Sequence, residues 1–401
     1  MKRIVSLLLA FLLTFFHLFA QAQNNIITGS VKDSASGKPL VGVSVFLNGS
    51  SKGTVTKADG SFVLAGIPNG RYELIISAIG YETFLREFSS RSLPFVLNLN
   101  LGEKASELEA VTVEPYLKDG WSRFGKFFMD NFIGTTANAS DCKFENHKSL
   151  RFHYYPKSRR LHVTSVDPLI IENKALGYEL EYRLESFNYD YESHIVSYYG
   201  YPFFREMTAD NDAQQQRWEQ SRERAYLGSL MHFMRSLYNG HLQQDGFIVE
   251  HEIQVPNIEK LRVKAIYIPN VTKTDSIPID SLHHYWEVLR EPDYYVQKVK
   301  SYDGLLTIKP DQTKSLFFTG DCTVIFGNGR LGIAYAESAI ELMTGRSVIV
   351  EENGMYYPPN EILTKGNWSQ TEKMANLVPR DFGMYGNEIK LIPPSHPNLM
   401  P

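Results

Sequence analysis

The sequence predicts a mainly β protein of α+β class, with an N-terminal seven-stranded β-sandwich followed by a larger α+β domain containing one long buried helix. Three observations lead there. Residues 25–115 break into short alternating apolar runs parted by turn residues, about seven of them at about 8–12-residue spacing, as sandwiches do. Tyr (23) and Phe (24) are plentiful among 401 residues, and aromatic side chains favour strands. The clearest helical stripe runs from about Asp212 to Asn239. Apolar residues make up 43% and charged residues 21%, enough to build sizeable cores, so wholesale disorder is excluded. The formal charge of −4 leaves no basic excess to neutralise phosphates, so nucleic acid is not an expected partner.

The first 22 residues read as a secretory signal peptide. Lys2 and Arg3 precede an apolar run from Ile4 to Phe16, and Ala20-Gln21-Ala22 supplies a small-x-small cleavage pattern near Ala22. The run is short of the ~20 residues that span a bilayer. Removing the segment takes the formal charge from −4 to −6. The expected location is therefore periplasmic, outer-membrane-associated or secreted, with no transmembrane segment in the mature chain. Nucleotide cofactors are scarce there, and no cofactor or metal is expected. Cys142 and Cys322 meet an oxidising compartment, where one disulfide or two buried thiols are both open.

Within residues 25–115, Ile27/Gly29/Val31, Val43/Val45/Leu47, Phe62/Leu64, Tyr72/Leu74/Ile76 and Phe95/Leu97/Leu99/Leu101 alternate. Asp33 to Pro39, Asp59-Gly60 and Ile67 to Gly70 supply turns between them. The residues Gly29-x-Val31-x-Asp33, Gly37-x-Pro39-Leu40-x-Gly42-Val43, Gly53-Thr54-x-Thr56, Asp59-Gly60-x-Phe62, Pro68-x-Gly70-x-Tyr72 and Gly80-Tyr81 resemble a carboxypeptidase regulatory-like domain. The resemblance implies a transthyretin-like sandwich and an accessory, non-catalytic module of the kind found at the front of bacterial envelope proteins, outer-membrane receptors among them. Leu108 to Val113 is similar to the short hydrophobic sequence that precedes a receptor plug. Too few residues follow for a plug and a large barrel, so Val111 to Val113 is read as an inter-domain strand or linker.

The remainder, 120–401, resembles no family of known activity. Trp121 to Phe132 reads as a helix through Phe124, Phe127, Phe128 and Phe132. Short strands follow from Leu150 to Ile171, turning at Lys157 to Arg160, then from Tyr178 to Leu184 and Ile195 to Tyr199. In the long helix, Asp210 and Asn211 cap the start and Gly240 suits the end. Leu230, Phe233, Met234 and Leu237 form its apolar stripe. Phe247 to Ile253, Leu261 to Ile266, Leu316 to Phe326 and Ser347 to Val350 read as strands.

Four motifs mimic catalytic signatures. Gly327-Asn-Gly329-Arg-Leu-Gly332 follows an apolar strand, with Glu351 and Glu352 about 20 residues on, as in a dinucleotide fingerprint. Its alternative is a turn and a hairpin with Thr344-Gly345 at the tip. Gly120 to Phe127 imitates a phosphate loop but lacks the hydroxyl after Lys126. Gly49-Ser50-Ser51-Lys52-Gly53 imitates a nucleophile elbow, but between strands. His284, Glu287 and His396 imitate a zinc peptidase, but too little chain follows His396 for that family's downstream catalytic acid.

The function is therefore sought in an aromatic cluster. Phe187, Tyr189 and Tyr191 alternate on one face of an extended segment, with Asp190, Glu192 and His194 interleaved. Tyr198, Tyr199 and Tyr201 follow, with Phe203 and Phe204. Exposed rings stack on sugars or fill peptide grooves, whereas buried ones pack a sheet on a helix. Tyr189, Tyr191, Tyr198, Tyr199 and Tyr201 are the candidate binding residues, and an envelope protein or glycan is the expected partner. The expected function is a non-enzymatic binding or structural protein of the cell envelope. A hydrolase of envelope or extracellular polymers, and an accessory of a TonB-dependent-type outer-membrane uptake system, are the alternatives.

Overall fold

The structure, a computed structural model, describes residues 25–104, 116–269, 277–328 and 333–384. Residues 1–22, read from the sequence as a signal peptide, Val111 to Val113, read as an inter-domain strand or linker, and His396 lie outside the described residues. Strands take 42% of the described residues and helices 23%, so the fold is mainly β, as expected. Two compact units divide it. One holds the chain up to Asn239 together with Glu351–Met355 and the residues from Trp368; the other holds Gly240–Val350 and Tyr356–Asn367. The sandwich and the sheet after it both lie in the first unit.

The sandwich has β1 (Ile26–Asp33), β2 (Ser44–Leu47), β3 (Gly53–Val55), β4 (Ser61–Ala65), β5 (Arg71–Ser77), β6 (Phe84–Ser89) and β7 (Phe95–Leu101). One sheet has the order β4-β1-β7 and the other β3-β2-β5-β6. Ile27, Val31, Val45, Phe62, Tyr72 and Leu74 alternate inward and fill the space between them. Gly29 must lack a side chain, because a Cβ there would lie 1.8 Å from the Leu97 carbonyl oxygen on the paired β7.

The rest of the first unit adds α1 (Gly120–Phe132), β8 (Cys142–Phe144), β9 (Leu150–Tyr155), β10 (Arg160–Ser165), β11 (Leu169–Asn173), β12 (Tyr178–Asp190), β13 (Ile195–Glu206), α2 (Asp212–Tyr226) and α3 (Leu230–Asn239). The long β12 is the spine of this sheet. Its first half pairs with β11, its second half with β10, and its whole length with β13. The apolar stripe of α1 lies on the sheet, with Phe128 and Phe132 fully buried. Cys142 and Cys322 are both free thiols, pushed up to about 12 by burial and so poor nucleophiles.

The single long helix expected at Asp212 to Asn239 is two helices. Gly228 takes φ +76°, which closes α2, and Ser229 Oγ accepts the His232 amide at 3.1 Å to open α3. The apolar stripe runs through the break, which is why periodicity did not show it. On α2, Arg222 is buried against the β11–β12 turn. It donates to the Leu176 and Gly177 carbonyls at 2.7 and 3.0 Å and lies 3.9 Å over the Tyr178 ring.

A terminal strap, Trp368–Met384, runs over these elements. Trp368 Nε1 donates to the Gly228 carbonyl at 2.7 Å. The Glu372 carboxylate accepts the Leu230 amide at 2.9 Å, in the first turn of α3. The Ala375 amide reaches the Ile133 carbonyl, and its own carbonyl accepts from Asn173, both at 3.0 Å. Asp381 accepts the Ser51 amide at 2.8 Å and the Ser51 hydroxyl at 2.5 Å, while the Arg380 amide donates to the Gly49 carbonyl. Buried Arg235 of α3 gathers three carbonyls, of Asn353, Arg380 and Phe382, within 3.1 Å.

The second unit has β14 (Phe247–Pro256), α4 (Ile258–Ile266), α5 (Ile279–Arg290), β15 (Tyr294–Lys300), β16 (Leu306–Ile308), β17 (Lys314–Leu316), β18 (Thr319–Asn328), β19 (Ile333–Leu342), β20 (Val348–Val350), β21 (Tyr356–Tyr357) and β22 (Ile362–Gly366). Its sheets have the orders β15-β14-β18-β19-β22 and β16-β17-β20-β21. Leu261 to Ile266, expected as strand, belongs to helix α4. Asn257 caps it by accepting the Lys260 amide at 3.0 Å, and Val263 and Tyr267 share a buried face at i, i+4 spacing. Residues 333–342 are strand, paired antiparallel with β18. Thr344-Gly345 is not the tip of that hairpin, because β19 pairs with β22 on its other side.

Two outcomes follow from this architecture. Gly177 has φ +67°, and a Cβ there would lie 2.2 Å from the Trp218 ring. Gly177→Ala is expected to destabilise the first unit by ~2–4 kcal/mol, read from chemical denaturation. Burial raises the Glu372 carboxyl to about 7 from its ordinary value of 4.5. The folded state then binds a proton that the unfolded state releases. This contribution to stability is fully present below about pH 4.5 and is lost as pH rises through about 7. Melting temperatures across that window should fall for the wild type and flatten for Glu372→Gln.

Candidate binding face

The pleat of β12 and β13 divides the candidate tyrosines between two faces. Phe187, Tyr189, Tyr191 and Tyr198 share one. There Tyr189 lies 4.6 Å from Phe127 and from Tyr191, Tyr191 stands edge-on to Tyr154 at 5.8 Å, and Tyr198 lies 5.3 Å from Phe132. These four rings therefore close the sheet against α1 and its neighbours. Asp190 shapes the adjacent turn by accepting the Glu192 and Ser193 amides. Those bonds and Arg160 hold its carboxyl down to about 2, so it is paired rather than merely solvated. His194 takes a left-handed φ of 58°, which brings its Nδ1 2.9 Å from the Tyr189 hydroxyl.

Tyr199, Tyr201 and Phe203 point the other way, toward the sandwich. Tyr201 is 7% exposed and packs in one cluster with Phe46 and Ile75, while Phe203 lies 5.1 Å from Phe46. Gly53 leaves room for that ring, since a Cβ there would lie 2.5 Å from Phe203. Tyr199 sits at the rim, 42% exposed, with its hydroxyl donating to Tyr201 at 3.0 Å. Burial raises both hydroxyls above their ordinary range, so they act as neutral donors and acceptors.

Beside Tyr199 the same sheet face carries a polar row. His153, His162, Asn188 and Ser197 are direct cross-strand neighbours on β9, β10, β12 and β13, and Tyr199 stands opposite Ser186. His162 Nδ1 and Asn188 Oδ1 are 2.8 Å apart. Farther along β12, Glu181 pairs with Arg183 at 3.4 Å and with Arg205 at 2.8 Å. Arg183 Nε is buried with no hydrogen-bond partner among the described residues. His153 is buried, while His162, Asn188 and Ser197 reach solvent and present donors and acceptors next to one open aromatic ring, a chemistry suited to holding a polar ligand. None of these four row residues was singled out in the sequence. Their signal is only that they occupy alternate positions on strands whose other positions are apolar.

The motifs that mimic catalytic sites are accounted for by local structure. Gly120 to Phe127 lies inside α1, with Gly120 against Phe152 and Lys126 paired to Asp130. Ser51 is held by Asp381. Gly327 lies inside β18, and the chain resumes at Ile333 as strand β19 rather than as the helix that a dinucleotide fingerprint requires; residues 329–332 lie outside the described residues. His284 contacts Glu259 at 2.9 Å and Glu287 faces His283 at 3.6 Å, and no cluster of three metal-ligating side chains occurs among the described residues.

With seven strands in two sheets and turns at Gly60 and Gly70, the front of the chain has the architecture its motifs imply. Residues 27–113 are a CarboxypepD_reg-like domain. Of this domain, residues 105–113 lie outside the described ones. No curated protein matches the chain. Among solved structures, it is similar to a type II cohesin–X-dockerin complex of Acetivibrio cellulolyticus, with 23% identity, 19% of this chain and 51% of that one covered, and a TM-score of 0.16. It is also similar to the pilus 2b backbone protein of group B streptococcus, with 16% identity, 20% and 42% covered, and a TM-score of 0.17. A protein of unknown function from Bacteroides fragilis is matched at 10% identity over 86% of this chain and 98% of that one, with a TM-score of 0.16. The chain thus spans about half the length of the first of these and less than half of the second.

The two faces make opposite demands on the tyrosines. Tyr201→Ala, which opens a cavity beside the CarboxypepD_reg-like domain, should cost ~3–5 kcal/mol. Tyr189→Ala should lower the melting temperature clearly, whereas Tyr199→Ala should change stability by less than about 1 kcal/mol.

Proposed function

We propose that the chain is an exported, non-enzymatic protein of the cell envelope that binds a protein or glycan partner. The CarboxypepD_reg-like domain serves as a fixed shoulder, and the open face beside it makes the contact. The observation that carries this reading is Tyr199, a half-exposed ring at the end of the row His153, His162, Asn188 and Ser197, at the border with the sandwich. A ring flanked by hydrogen-bond donors and acceptors suits a saccharide or a polar peptide segment. Of the five candidate tyrosines, Tyr199 is therefore the binding residue, and Tyr189, Tyr191, Tyr198 and Tyr201 support the face it stands on. Among the described residues no helix is long and apolar enough to cross a membrane. The envelope location rests on Lys2, Arg3, the apolar run to Phe16 and Ala20 to Ala22.

The test is retention of protein and glycan fractions of an envelope extract by the immobilised chain. One fraction should be retained above background. Tyr199→Ala and Asn188→Ala should lower retention about tenfold, equivalent to ~1.4 kcal/mol, with unchanged melting. Background retention of every fraction, or equal retention by both variants, contradicts the proposal.

A further inference from the structure

The second unit carries an unusual concentration of exposed apolar side chains between residues 258 and 296. Ile258 (69%), Leu261, Ile266 and Ile268 lie on or just after α4, Ile279 (78%) and Trp286 on α5, and Tyr294, Tyr295 and Val296 (64%) on β15. The core beneath them is small: Val263, Tyr267 and Val288 are its buried members. Helix α4 is apolar on opposite sides. Val263 and Tyr267 face the core, while Ile258, Leu261 and Ala265 recur at i, i+3, i+7 on the outside. A helix with apolar residues on both sides is ordinarily covered on both.

Next to these helices β15 is an edge strand. It pairs with β14 on one side and ends the five-stranded sheet on the other. Six of its seven residues are exposed, and among the described residues no strand pairs with its outer edge. Its sequence, Tyr-Tyr-Val-Gln-Lys-Val-Lys, is apolar in the first half and basic in the second. Antiparallel pairing with itself about Val296 sets Tyr294 opposite Lys298 and Tyr295 opposite Gln297. Each strand then sets its Tyr294 ring against the other's Lys298 and no like charges meet, which favours this register. Pairing centred on Lys298 would oppose two ammonium groups. The lysines thus exclude some registers and leave this one.

The surrounding ions leave little net charge for a charged partner to read. Arg262 and His284 are satisfied by Glu259, and Lys260 and Lys264 by Asp293. The nine exposed apolar side chains offer on the order of 1,000 Å², against the ~800 Å² per partner of a standard interface. We propose that two copies of this chain associate edge to edge through β15, with the outer faces of α4 and α5 flanking the join. A two-fold axis at Val296 closes the assembly as a dimer.

Sedimentation equilibrium of the full chain tests this. The wild type should be dimeric at tens of micromolar, a range that detects ordinary specific association. Val296→Lys puts two cations face to face on the axis and should weaken the dimer at least tenfold. Its melting curve should not change, because Val296 is largely exposed. Val296→Cys should form a disulfide-linked dimer under mild oxidation, whereas the wild type, carrying only Cys142 and Cys322, should not. A monomer at about 100 μM, or a dimer unaffected by Val296→Lys, overturns the proposal. So does a monomer that co-sediments with phosphatidylglycerol vesicles, since the apolar side chains would then face lipid.

Discussion

The first compact unit depends on the strap from Trp368 to Met384. Each hydrogen bond it makes is worth about 1 kcal/mol net, yet leaving a buried partner unmade costs ~1–3 kcal/mol. The strap satisfies groups that would otherwise be stranded: the Gly228 carbonyl at the break between α2 and α3, the Leu230 amide, the Asn173 side chain and the Ser51 hydroxyl. Arg235 is the most demanding of these. A buried guanidinium needs acceptors in several directions, and it finds three carbonyls, two of them on the strap. The sandwich, the β12 sheet and the helix pair are thereby fixed to one segment.

That fixing gives the candidate face its shape. Tyr201 and Phe203 seat β13 on the outer side of the sandwich sheet, and Asp381 and Arg380 hold the Gly49 to Ser51 loop beside the same strand. Tyr199 is consequently left at a rim instead of being buried or free. The CarboxypepD_reg-like domain meets β13 through Phe46 and Ile75, which cover Tyr201 and Phe203 on the face that also carries Tyr199. The rings on the opposite face, Tyr189 and Tyr198 among them, hold α1 in place.

Much of this was legible in the sequence wherever structure is local. Turn residues at fixed spacing, such as Asp59-Gly60, specified the sandwich strands, because few residues other than Gly take those backbone angles. Trp121 to Phe132 was legible from helical spacing alone. The break at Gly228 was not, because Leu227, Leu230, Phe233 and Leu237 keep an unbroken stripe through a glycine that a helix tolerates. The segment Ile258 to Ile266 suits strand or helix almost equally, and its cap at Asn257 decided for helix. The strap could not be read at all. Its regular structure is limited to the short helical turns Asn367–Thr371 and Met374–Asn376, and its partners lie far off, with Ser51 and Asp381 separated by 330 residues. The site suffered in the same way: aromatic enrichment located β12 and β13, but which face each ring took depended on the sandwich and on α1.

The central claim is that the strap, anchored by Arg235, holds the sandwich to the rest of the first unit. Hydrogen exchange followed segment by segment in Arg235→Met tests it most directly. That variant keeps the length of the side chain and removes the donors to Asn353, Arg380 and Phe382. The account predicts that amides at Gly49 to Ser51, in β13 and in the strap lose protection together, while the β1–β7 ladder stays protected. Unchanged protection at Gly49 to Ser51 and β13, with loss confined to the neighbourhood of Arg235, would contradict it.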